Sequence, residues 1–261
     1  MDNYILYKGM WIYNNAPHTE QKLNGPEIRH IMTSGGWALR NAYNFDIQKP
    51  TNFWYVIKDS FDDMSELSSK TRNQVRRAFK NYDYKMIDRS YILQYGYDVF
   101  QKACDSYAVT AIPPTIDEFR QRIMSAPDQD EFWGAINKEN GQLAAIAINH
   151  IADNSCNYST LKANPEDMKN YVYYGLIYVM NEYYLKTKGF NYVYDGARSA
   201  TNHSNIQPFL MDKFNFRKAY CNMHITYKWW AHLAIILLLP FYRIIPLRQI
   251  KNVIALHKMQ D

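Results

Sequence analysis

The chain has 261 residues, of which 47% are apolar, so it can bury a core, as one large domain or two halves, without metal or disulfide staples. A net charge of +5 is too mild to point to nucleic acid by itself. Three scattered cysteines, Cys104, Cys156 and Cys221, argue against a disulfide framework or a CxxC zinc site and fit a reducing cytoplasm, and residues 1–13 lack the pattern of an export signal. The 23 tyrosines either line a wet cleft or fill a sheet-rich core.

In chain order, strands are expected at Tyr4–Tyr7 and 36–40, separated by a polar loop at 18–25. Residues 53–57, FWYVI, make a stronger strand. Asp62 or Ser65 then caps a helix running to about Lys80. Leu67, Val75, Ala78 and Phe79 form its apolar stripe, and Lys70, Arg72, Arg76, Arg77 and Lys80 crowd its other side. Residues 82–87 alternate as the next strand. Helices over 91–107 and 115–124 are split by Pro113-Pro114, with Thr115 capping the second.

Strands at 132–136 and 143–149 flank the KENG turn as a hairpin, and the second, apolar on both faces, is central. A third strand covers 157–161. Asn164-Pro165-Glu166-Asp167 starts a helix that is apolar almost all round from Tyr171 to Met180 and ends at 186–189, with Gly175 allowing close approach. The strand 192–194 stops at Asp195-Gly196. A polar turn and a short helix ending in Asp212-Lys213-Phe214 follow, and residues 219–227 alternate as a half-exposed strand. The units 55–87 and 192–220 echo each other, by duplication or by coincidence.

Hairpin, third strand, buried helix, strand, short helix and final strand follow the order of the GNAT N-acyltransferase fold. The basic helix from Leu67 to Arg77, the Tyr194-Asp195-Gly196 turn, Phe209 and the Lys213-Phe214 pair resemble the Fem-type, or FemAB-like, tandem GNAT branch over about residues 50–228. The resemblance implies an α/β (α+β) protein of two GNAT-like halves, with mixed central sheets flanked by helices. The halves are expected at 1–90, degenerate, and 91–228, before an apolar, basic helical tail at 229–261.

The same resemblance implies transfer of an acyl or aminoacyl group onto an amine of a small molecule or an envelope or polysaccharide precursor. No permanently bound cofactor is implied; acyl-CoA or aminoacyl-tRNA is the co-substrate. The family's pyrophosphate loop falls at 164–167, which has no glycine, one proline and two carboxylates, so Fem-type donors such as aminoacyl-tRNA fit better than conventionally held acyl-CoA.

Asp195 ends a central strand, where a carboxylate orients or deprotonates an amine or else bonds the next turn. His203 is either an acid/base or a helix cap. Arg198 and Lys213 hold anions or form surface ion pairs, and Tyr158 and Ser159 face the donor. Arg72, with its basic helix, meets tRNA or a phosphorylated precursor, or is a solvated face. No Cys/His cluster or HExxH marks a metal.

The tail WWAHLAIILLLPFYRIIPL is too broken for a bilayer span, which needs about 20 residues. Its cations make residues 229–258 either an interfacial anchor at the inner membrane face or a helix packed on the core or on a second subunit of a homodimer. The rival functions are a GNAT-like scaffold without catalysis and an RNA-binding protein.

Overall fold

Paired aromatic and aliphatic side chains set the first strands, β1 (Tyr4–Tyr7) and β2 (Met10–Tyr13), of the computed structural model, which describes residues 3–106, 113–198 and 205–260. Helix α1 (Gly25–Thr33) begins at the end of the loop expected at 18–25. Asn24 accepts from the Glu27 N–H while Glu27 accepts from the Asn24 N–H, a reciprocal cap that starts the helix. The strand expected at 36–40 is longer, β3 (Ala38–Ile47), and β4 (Phe53–Lys58) follows.

Helix α2 (Ser69–Asn81) is capped by Ser68, whose Oγ accepts from Thr71 N at 3.2 Å, and not by Asp62 or Ser65. Leu67 lies before it in extended, buried backbone, and Asp63–Glu66 is a separate 3-10 turn. Next come β5 (Tyr82–Ile87), α3 (Arg89–Asp105) and α4 (Ile116–Met124), the last capped by Thr115 as expected. The hairpin is β6 (Asp130–Asn137) and β7 (Leu143–Ala152), followed by β8 (Ser155–Ala163).

The helix expected to start at 164 is two helices. A single turn, α5 (Pro165–Met168), is separated by Tyr171, at φ 64°, from the buried α6 (Val172–Asn181), which continues as a π-turn over Glu182–Thr187. Then come β9 (Tyr192–Ala197), α7 (Ile206–Phe214), β10 (Arg217–Tyr227), α8 (Trp229–Leu238) and α9 (Arg248–His257).

Packing groups the chain into two units, Met1–Val56 with Ala197–Ser204 and Lys218–Asp261, and Ile57–Gly196 with Asn205–Arg217. In the first, strand order is β1-β2-β3-β10, with residues 53–56 of β4 beside β10. β2 and β3 are parallel; β1 with β2 and β3 with β10 are antiparallel. Buried Glu20 accepts from Ala42 N at 2.7 Å and from the Tyr55 hydroxyl at 3.3 Å, and burial pushes its carboxyl up to about 7. The C-terminal helices dock on β10. Gln260 accepts from Ile225 N at 2.7 Å, His232 stacks on Tyr227, and Ala231, Ile235, Ile245, Ile254 and Met259 are buried.

In the second unit the strand order is β9-β8-β7-β6-β5, antiparallel except for the parallel pair β8–β9. One apolar cluster joins α3 and α4 to β6 and β7 through Ile92, Val99, Phe119, Ile123, Phe132 and Ile146. α6 packs its small residue against β5: a Cβ on Gly175 would sit 2.3 Å from the Tyr84 ring, whose hydroxyl donates to Val172 O at 3.1 Å.

Gly175→Ala gains about 1 kcal/mol of helix propensity but must displace that ring and its hydrogen bond, so a net loss of roughly 1–3 kcal/mol is expected in urea unfolding. With Tyr84→Ala also present, the same substitution is expected to stabilise.

Candidate active site where two strands part

β8 and β9 pair over three positions: Ser155 with Tyr192, Cys156 with Val193 and Asn157 with Tyr194. Beyond them β8 runs on to Ala163 and β9 to Ala197 without a shared ladder. The other edge of β8 carries an irregularity at the same place. Ile148 of β7 faces Thr160, yet the next residue, Asn149, faces Tyr158, leaving Ser159 as the extra residue of a β-bulge. The Ser159 hydroxyl donates to Ile148 O at 2.8 Å and fixes it. A bulge bends and twists its strand and ends pairing nearby. Among the described residues, the ladder between β8 and β9 does not continue past Asn157.

Asp195 is the first residue of β9 past the last pair, and Gly196, at φ 72°, turns the chain just after it. Gln207, in the first turn of α7, donates to the Asp195 carbonyl at 3.1 Å and also hydrogen-bonds its side chain. The residue keeps some exposed surface, but burial around the carboxylate outweighs the Gln207 bond and pushes its pKa up to about 7. A carboxylate so poised can take a proton near neutral pH and return it.

The other expected site residues are differently employed. Tyr158 is buried and donates to Asn181 Oδ1 of α6 at 2.8 Å, while Ser159 is exposed at the bulge. Lys213 Nζ lies 2.6 Å from neighbouring Asp212. Arg72 donates to Leu67 O, closing the start of α2. Arg198, in the first unit, donates to Asn52 O at 2.6 Å with its guanidinium 4.2 Å over the Trp54 ring. His203 lies outside the described residues. Gln207 was not anticipated; its side-chain type carries no signal, and only the chain's return along α7 makes it a neighbour of Asp195.

Glu166 and Asp167 do not sit at the start of the long buried helix. They belong to α5, the first turn of α6 holds no acidic residue, and Asp167 accepts from the Tyr82 hydroxyl at 2.7 Å. What fills this connection is internal bonding. Glu166 N bonds to Asn164 Oδ1, Asp167 N to Asn164 O, Asn170 N to Asp167 O, Tyr171 N to Met168 O and Tyr174 N to Tyr171 O, while Pro165 has no N–H. Beside it the Arg77 guanidinium lies 5.0 Å from the Tyr171 ring centre, and Lys70, Arg76 and Lys80 of α2 are exposed. Among the described residues no cluster of His, Cys, Asp or Glu could hold a metal ion.

No family model matches the sequence, and no curated protein matches it. Among solved structures the chain is similar to the crystal structure of FemX, at 11% identity over 78% of this chain and 75% of that one, with a TM-score of 0.53. The fold is Fem-type and GNAT-like. Weaker likenesses are to the C-terminal domain of a putative lysylphosphatidylglycerol synthetase from Agrobacterium fabrum (10% identity, 89% and 82% coverage, TM-score 0.49) and to L-PGS from Bacillus licheniformis (12% identity, 78% and 71% coverage, TM-score 0.48). At these identities the comparison speaks to fold alone.

Asp195 holds its proton to higher pH in the folded chain than its ordinary value of 3.8. The folded state therefore binds more protons than the unfolded one between about pH 4 and 7, and stability falls as pH rises through that window. Asp195→Asn removes this penalty. Urea unfolding is expected to find the variant increasingly more stable than wild type as pH rises, by up to about 4 kcal/mol above pH 7. A constant difference across the window would contradict the assignment.

Proposed function

We propose that the protein transfers an acyl or aminoacyl group from an activated donor onto an amine, with the reacting carbonyl at the parting of β8 and β9. The observation that carries this reading is that parting, with a bulge on one strand and a desolvated carboxylate on the other. Backbone N–H groups of β8 past its last pair with β9 would polarise the donor carbonyl and stabilise the tetrahedral oxyanion. Asp195 takes the proton that the attacking amine must lose. Collapse of the intermediate forms the amide and expels the carrier's thiolate or hydroxyl oxygen, which takes up a proton.

The donor is an aminoacyl-tRNA or another polyanionic carrier, in preference to acyl-CoA held by its pyrophosphate. Two features support this. A pyrophosphate grip needs a run of free N–H groups at a helix start, and the 164–174 connection spends five of them internally. Beside it, the exposed cations of α2 offer side-chain charge for a phosphate backbone. The acceptor is a small-molecule or envelope-precursor amine.

Asp195→Asn is expected to lower aminoacyl transfer about 10²–10⁴-fold with donor affinity unchanged. Arg76→Gln with Arg77→Gln is expected to weaken donor binding and flatten its salt dependence while leaving the rate at saturating donor near wild type. Calorimetry is expected to detect aminoacyl-tRNA but not CoA. Saturable tRNA binding with no transfer to any amine would favour a scaffold; tight CoA binding would overturn the donor assignment.

A further inference from the structure

The C-terminal segment packs on its own unit through one face only. On α8, Ala231 and Ile235 point inward, while Trp229, Trp230, Leu233, Ile236 and Leu237 recur at helical spacing on the outside. Trp229 is 79% exposed, and Phe241, Ile244 (77% exposed) and Leu247 extend the patch beyond the helix. A soluble helix ordinarily turns a polar face to water; this one is apolar on both.

The charge around the patch has one sign. Residues 228–260 carry Lys228, Arg243, Arg248, Lys251 and Lys258 and no acidic residue. A two-fold contact with a second copy would set this cationic rim against itself. An anionic surface is its complement, and tryptophan pairs favour the boundary between headgroups and acyl chains. Among the described residues no helix is long and apolar enough to cross a membrane; apolar faces with flanking cations are the pattern of helices that lie in a membrane interface. We infer that the outer face of residues 229–247 docks the protein on a membrane surface rich in anionic lipid. This surface lies on the first unit and does not depend on the transferase reading.

The test is co-sedimentation of the full chain with vesicles of phosphatidylcholine, with and without phosphatidylglycerol. Wild type is expected to bind the anionic vesicles, and to release with salt. Arg243→Gln with Arg248→Gln is expected to weaken binding roughly thirtyfold, at about fivefold per cation. Leu233→Ser with Leu237→Ser, both on exposed positions, is expected to weaken it by more than about tenfold with the melting temperature unchanged. Three results would overturn the inference: no binding of wild type to anionic vesicles, equal binding without phosphatidylglycerol, or binding that neither pair of substitutions alters. A wild-type dimer that the leucine substitutions dissociate, with no vesicle binding, would assign the face to a second copy.

Discussion

Parallel strands share slanted, evenly spaced hydrogen bonds, and a bulge on one strand is a local bend that can end such a pair. On β8 that bend is the Ser159 bulge, imposed from the β7 side, and the ladder to β9 ends within two residues of it. The rest of the site depends on that mismatch. In the proposed reading the donor carbonyl lies against β8 beyond it, while Asp195 on β9 has no ladder partner from β8. The stretch before the bulge is held from beneath, because Tyr158 bonds Asn181 of α6 and Tyr184 gathers Trp133, Asn149 and Glu131 in a buried network.

The proposed reading places the polyanionic donor away from the start of the buried helix. In the connection leading to α6, five backbone N–H groups are taken up internally around a one-turn helix and a left-handed tyrosine. That reading draws its charge from α2, where Arg77 lies over the ring of that tyrosine. Flexible side chains suit an extended polyanion, whereas a compact diphosphate is better matched by converging N–H groups.

Much of the framework was legible because local signals agreed with tertiary needs. The KENG hairpin, the Thr115 cap and the buried helix around Gly175 each combine pattern with punctuation, and each is observed. Helix α1 was legible and passed over: Asn24 and Glu27 have capping-box spacing, but the preceding polar loop masked it. The break at Tyr171 was not legible, since tyrosine rarely takes positive φ and only packing against Arg77 and Tyr174 rewards it. The bulge was hidden for a different reason. Ser159 was chosen for its place on a strand, but register belongs to a strand pair and cannot be read from one strand alone. Asp195 was legible as a strand end; its desolvation was not.

Holding a carboxylate in that position costs stability at neutral pH, a cost expected where function requires it. Carbon-13 NMR of the side-chain carboxyls, with Asp195 assigned by its absence in Asp195→Asn, measures this directly. The account predicts that the Asp195 carbon titrates near pH 7 in the folded protein. A midpoint at its ordinary value of 3.8 would contradict it, leaving the parting of the strands without a base.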